Sequence, residues 1–260
     1  MKGPEAHASA IVHPDARIGD GTRIGAYSVI GAGVTLGPRC QVLSHVVIDG
    51  DTVVGDSCRF FPFSSIGLVP QDLKYRGEPT RLRIGAENTF RECATVHSGT
   101  EGGGGVTTIG NRNLFMAYTH IAHDCHVGND TIFANAATLA GHVRVEDFAA
   151  IGAFSGIHQF CRIGAHAYIG GYSVITQDAL PYVLTVGNRA RAYGINVIGL
   201  KRRSFAESTI ASLRRAYRIL FQSKLTTLRA LERMEKELDG FPEVAYLAAF
   251  VRSSERGIVK

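Results

Sequence analysis

Three histidines fall at three-residue intervals in THIAHDCHVG, residues 119–128, with an aspartate and a cysteine beside them. Imidazole titrates nearer neutral pH than any other side chain, so these residues are candidates for acid–base catalysis. They are also candidates for zinc, because catalytic zinc sites are often built from three neutral imidazoles. A third reading is structural, with the rings bonded to loop carbonyls. Local spacing does not choose among the three, because it does not say which imidazoles meet in space.

The chain around them repeats. Aliphatic residues or phenylalanine recur every six positions at Val12, Ile18, Ile24, Ile30, Leu36, Val42, Ile48, Val54, Phe60 and Ile66. The interval returns at Ile84, Phe90 and Val96. A second unbroken run goes from Ile109 through Ile121, Leu139 and Ile157 to Ile175. Neither a helix nor an alternating strand has period six, whereas a parallel β-helix of hexapeptides does. Each hexad is one face, and three hexads close a coil of 18 residues with the anchors stacked inside. Glycine follows the anchor in IGDGTR, IGAYSV and VGDSCR, where it is expected to supply the backbone freedom of the corners. Cys40, Cys58, Cys125 and Cys161 each take the fifth place of a hexad and read as small inward side chains, not nucleophiles or disulfide partners.

Two stretches break the period. LVPQDLKYRGEPTRLR, residues 68–83, and HSGTEGGGGVTT, residues 97–108, read as loops ejected from the coils. The first is the stronger functional candidate and the glycine run the more plausible tolerated insertion. After residue 190 the period becomes helical. SFAESTIASLRRAYRILFQ carries a stripe at Ile210, Leu213, Tyr217, Leu220 and Phe221. A second helix is expected to stop at Gly240 and a third to start near Pro242. The chain therefore divides into a β-helix over 1–190 and a small α-helical domain over 191–260.

With 45% hydrophobic and 20% charged residues the protein is globular. It has neither a signal-peptide segment nor a membrane-spanning one, which points to the cytoplasm. Residues 1–188 hold 13 Lys and Arg against 16 Asp and Glu, and residues 189–260 hold 15 against 7. A basic end of this kind suits an acidic partner or is a solvated helical surface.

The six-residue frame places the histidines. His123, His142 and His158 lie in hexads opening at Ile121, Leu139 and Ile157, which stack on one face. His120 adjoins them, so four histidines are expected on one patch, while His126 and His166 read as ordinary surface residues.

The motifs just used, together with VHP at 12–14, PQDLKY at 70–75, GEPTR at 77–81, HIAHDC at 120–125, LAGHV at 139–143, HQFC at 158–161, IGAH at 163–166, Gly170–Gly171 and GLKRR at 199–203, resemble those of the UDP-N-acetylglucosamine O-acyltransferase family over nearly the whole chain. The resemblance implies a mainly β protein, a left-handed parallel β-helix of hexapeptide repeats followed by a small α-helical C-terminal domain. It implies transfer of an (R)-3-hydroxyacyl chain from acyl carrier protein to the 3-hydroxyl of UDP-N-acetylglucosamine, the first step of lipid A biosynthesis. It also implies a homotrimer, no cofactor, no metal, no nucleic acid and no stable membrane insertion.

By the same resemblance His123 is the general base, Asp124 its orienting partner and Gly141 the backbone donor to the oxyanion. Gln71, Asp72 and Lys74 of the first loop match residues that contact substrate, as do His120, His142, His158 and Gln159. Asn196, Arg202 and Arg203 match residues near the nucleotide, where an arginine fork suits a diphosphate. Gly171 matches the position that measures acyl length, and the basic C-terminal region matches the dock for the acidic carrier. The chain departs from the family's N-x-E before GLKRR, having Asn196, Val197 and Ile198. The missing carboxylate leaves open a 3-amino acceptor and an amide product. A zinc enzyme of the β-helical carbonic anhydrase type and a catalytically inert scaffold are the remaining alternatives.

Overall fold

A computed structural model describes residues 3–260, and in it the chain winds as a three-sided parallel prism. Strands mostly two residues long fall into three sheets of eleven, nine and eight strands, each taking every third strand along the prism until the first ends in two strands close in sequence. Ile24 pairs with Val42 and Ile121 with Leu139, so anchors 18 residues apart stack as the period requires. Where the loops are ejected the pairing jumps, Phe60 to Phe90 and Phe90 to Phe115. The rings of Phe60, Phe90, Phe115 and Phe133 stack along the axis with centroids 5.1, 4.7 and 4.9 Å apart and are all fully buried. Rings of this size each bury a large apolar area, beside the aliphatic anchors that make up most of the prism core. The fifth-place cysteines are buried as expected, and burial pushes the Cys125 thiol up to about 12, which removes it as a nucleophile.

The corners differ from expectation in one respect. The left-handed backbone position at most corners is held by non-glycine residues, in columns such as Arg112, Asp130, Phe148 and His166, or Asp124, His142 and Phe160. The glycine that follows an anchor serves another purpose. A Cβ on Gly37 would lie 2.7 Å from the Gly55 carbonyl carbon of the next coil, so the glycine is needed for coil-to-coil approach.

Both loops are shorter than their polar stretches. Arg81–Ile84 rejoins a sheet between Asp51–Val54 and Val106–Ile109, pairing four residues on each side. The second loop runs only from the end of strand Thr95–His97 to Val106, with a short 3-10 turn at Glu101–Gly103. The two loops touch where the Thr80 hydroxyl donates to the Ser98 hydroxyl at 3.0 Å.

The eleven-stranded sheet ends in an antiparallel hairpin, Val183–Gly187 with Ala190–Ile195. Four helices follow: α1 (Val197–Arg202), α2 (Glu207–Gln222), α3 (Thr227–Glu237) and α4 (Pro242–Arg252). Ile210, Leu213 and Ala216 of α2 pack with Leu231, Met234, Leu247 and Phe250 in a second core. Ile258 and Val259 return to the prism, where the Val259 N–H donates to the Asp178 carbonyl at 3.0 Å and covers its open end. No helix among the described residues is long and apolar enough to cross a membrane.

Candidate active site

His123 and Asp124 occupy the third and fourth places of their hexad, at the corner between the nine- and eight-stranded sheets. Asp124 adopts φ 59°, a left-handed conformation that a short polar side chain tolerates, and its side chain is fully buried. Burial demands that the carboxylate be satisfied. Thr100 does most of this: its N–H donates to Oδ1 at 2.8 Å and its hydroxyl to Oδ2 at 2.6 Å. The remaining valence of Oδ2 faces His123 Nδ1 at 2.7 Å. A carboxylate only accepts, so Nδ1 carries the ring proton and Nε2 keeps its lone pair. The imidazole is thus oriented, with Nε2 free to accept a proton, by a group that is itself held from two sides.

Gly141 lies on the next coil, directly against that ring. A Cβ there would stand 2.5 Å from His123 Cε1 and 2.8 Å from Nε2. Its N–H makes no hydrogen bond among the described residues. An unpaired backbone donor beside a base is the arrangement that stabilises an oxyanion formed there. His142 packs edge-on to His123, centroids 5.1 Å apart at 89°, and stacks on Phe160 at 4.4 Å. Its Nδ1 is 3.8 Å from Asp124 Oδ2, and burial depresses its pKa in spite of that carboxylate.

His120 holds Thr95 Oγ1 at 2.7 Å through Nδ1, and burial followed by the nearby His123 lowers its pKa. Asp72 of the first loop reaches His142 with its charge, and accepts the Lys74 N–H at 2.9 Å in its own turn. Gln71 and Lys74 are exposed. A groove of about 1030 Å³ runs from Asp124, His142 and Phe160 along the outer face of the eight-stranded sheet to Tyr246 and Arg256.

The other expected residues do not join this cluster. His158 takes the second place of its hexad and faces away, with Nδ1 3.3 Å from the Arg256 guanidinium; Gln159 beside it is exposed. Stacking of hexads fixes the face but not the place within the hexad, and so the expected four-histidine patch loses this member. Asn196 caps α1 and donates through Nδ2 to the His166 carbonyl at 3.0 Å. Arg203 lies over Phe148, 4.5 Å from the ring centroid, while Arg202 is exposed. Asn196 and Arg203 therefore meet at the second corner. His166 is no ordinary surface residue: it stacks between Phe148 and Tyr182, and burial pushes its pKa down to about 4. His126 is half-buried, bonded to Thr108 Oγ1 at 2.8 Å, and lines the groove. Gly171 sits at the third corner beside Ala153 and the stacked pair Phe154 and Tyr172.

Sequence reasoning misses Thr100, Gly103 and His97. The signal for the first two is the glycine run itself, which supports the site and is no mere insertion. His123, Asp124 and His142 are also the only described group whose ligand atoms approach closely enough for a metal, all within 4.8 Å of one another. That donor set is not three imidazoles, and two of its atoms already face each other across a hydrogen bond.

Known proteins resemble the chain throughout. Residues 178–259 match the family described as UDP-N-acetylglucosamine O-acyltransferase, domain 2, and residues 15–50, 106–141 and 142–177 match the bacterial transferase hexapeptide repeat. An acyl-[acyl-carrier-protein]–UDP-N-acetylglucosamine O-acyltransferase of Thermodesulfovibrio yellowstonii is 49% identical over 98% of this chain and 99% of its own. The structure of a UDP-N-acetylglucosamine acyltransferase from Bacteroides fragilis superposes with a TM-score of 0.96 at 38% identity, covering 98% and 99% of the two chains. That of the Arabidopsis enzyme superposes with a TM-score of 0.87 at 37% identity over 98% and 99%.

Proposed function

The chain belongs to the UDP-N-acetylglucosamine O-acyltransferase family, and from that premise we propose how its residues carry the reaction. The enzyme transfers an acyl chain from acyl carrier protein to UDP-N-acetylglucosamine, the first step of lipid A biosynthesis. The acceptor atom is the sugar 3-hydroxyl. His123 Nε2 takes its proton as the oxygen attacks the thioester carbonyl. The Gly141 N–H holds the oxyanion of the tetrahedral intermediate. Collapse breaks the C–S bond, and the His123 imidazolium returns its proton to the departing thiolate. No acyl-enzyme forms. His120, His142 and Asp72 surround the sugar, and His158, Gln159, Asn196, Arg202 and Arg203 serve the nucleotide and the acyl chain. The observation that carries this reading is the Asp124–His123 pair packed against Gly141, whose N–H is unpaired among the described residues.

A homotrimer suits the same residues. The base, the Asn196–Arg203 group and Gly171 lie on three different corners of one prism. A pocket built between copies would bring the base together with the other two groups. Exposed Tyr27, Phe63, Tyr118, Phe154 and Tyr172 along one corner column offer an apolar edge for that contact. Gly171 leaves the acyl groove open for a chain near hydroxymyristoyl. Arg214 and Arg218 of α2 stay outside the ion pairs among the described residues and suit the acidic carrier, whose docking then weakens with salt. The reaction belongs in the cytoplasm.

The test is His123→Ala, assayed with 3-hydroxymyristoyl carrier protein and UDP-N-acetylglucosamine. A loss of at least about a hundredfold in kcat with the assembly intact is expected for removal of a general base. Near-normal turnover would sink the assignment. Mixing His123→Ala chains with Arg203→Ala chains is expected to restore part of the activity if each site draws on two copies; no recovery would mean that each copy works alone.

A further inference from the structure

One imidazole beside the base has no task in this scheme. His97 ends the strand Thr95–His97, one coil before His120, and is 94% buried. Its ring meets that of His120 edge-to-face, centroids 5.0 Å apart at 79°. Thr95, from the same strand, holds His120 Nδ1 through its hydroxyl. Two side chains of one short strand therefore fix His120 from beneath, leaving its Nε2 for a ligand. The His97 Nδ1 is buried with no hydrogen-bond partner. A phenylalanine would fill this space without burying an unsatisfied nitrogen, so packing alone does not explain a histidine here. Desolvation keeps the ring neutral, with its pKa pushed down to about 4 by burial and by the neighbouring His120 and His123. A charged group at this spot would repel the proton that His123 has to carry.

We propose that His97 is a positioning residue for the acceptor sugar: it orients the His120 imidazole through its polar ring edge and, with Thr95, presents His120 Nε2 to the sugar. This inference rests on the assignment of His120 to the sugar. The sequence frame passes over His97 because it opens the glycine-rich stretch.

The experiment is a kinetic double-mutant cycle with His97→Phe and His120→Ala in the full-length protein, following initial rates against each substrate and thermal melting. His97→Phe keeps the ring and removes both nitrogens. It is expected to raise KM for UDP-N-acetylglucosamine by about tenfold, to leave KM for the acyl carrier unchanged, and to have no further effect in the His120→Ala background. An unchanged KM in His97→Phe, or the same penalty in both backgrounds, would overturn the proposal. If the phenylalanine variant does not fold, His97→Asn takes its place under the same criteria. A normal KM in His120→Ala alone would instead refute the sugar-binding role of His120, so the two failures are told apart.

Discussion

Gly103 lies so close against Asp124 that a Cβ built on it would overlap the carboxylate. The glycine run is thus part of the wall that holds the partner of the proposed base, together with Thr100, which donates two hydrogen bonds to it. Gly103→Ala is expected to displace the carboxylate and lower kcat by at least about tenfold, roughly 1.4 kcal/mol in the barrier. A Cβ on the adjacent Gly102 would meet nothing within 4 Å, so Gly102→Ala is the matched control and should turn over normally. Equal rates for the two variants would show that the carboxylate tolerates the shift.

Gly141 offers a sharper case, because its crowding is with the proposed base itself. Alanine there would force the His123 ring off Asp124, since ring atoms lie 2.5–3.1 Å from the new carbon. The expected loss in kcat is at least about a hundredfold, or roughly 2.7 kcal/mol, with a melting temperature close to that of the parent. Steady-state kinetics beside a melting curve decide it. A variant with normal kcat would remove Gly141 and the present ring orientation from the mechanism together.

Acid should destabilise the protein through two histidines outside the proton-transfer step. Burial holds His97 and His166 at about 4, against about 6.5 in an unfolded chain. Between these values the unfolded chain binds protons that the folded chain refuses. Stability is therefore complete above about pH 6.5 and falls as pH drops toward 4. His166→Phe keeps the stack between Phe148 and Tyr182 and removes one titration. Melting temperatures from pH 7 to 4 should fall less steeply in this variant; an identical slope would place the sensitivity elsewhere.

The prism is legible because stacking forces its anchors into register: Ile24 on Val42 and Ile121 on Leu139 are consequences of a single period. The site is legible less evenly. A six-residue period says which hexads share a face, but the direction of a side chain depends on its place within the hexad. His142, at the fourth place, joins His123, while His158, at the second, turns to Arg256. The supports of Asp124 are hidden for another reason. Thr100 and Gly103 reach it from an ejected loop, whose path follows from its own 3-10 turn and not from the period. The roles of Asn196 and Arg203 come from resemblance alone, since one chain leaves them on a different corner from the base.

Ile198 is the residue at which the choice of acceptor is tested. It is 68% exposed in the short helix α1, two residues after the cap Asn196, so no packing demand explains an apolar side chain there. Its place is where the family resemblance leads one to expect a carboxylate. Offered UDP-N-acetylglucosamine and its 3-amino analogue together with 3-hydroxymyristoyl carrier protein, the enzyme is expected to give mainly the ester. The products differ in mass and are resolved directly. Ile198→Glu is then expected to lower KM for the nucleotide sugar several-fold at unchanged kcat, because an exposed carboxylate adds an acceptor to ground-state binding without touching the reacting atoms. A mainly amide product would keep the base and the carrier but change the acceptor. In that event the same substitution should move the product ratio toward ester, and a ratio that stays fixed would acquit Ile198 of any part in the choice.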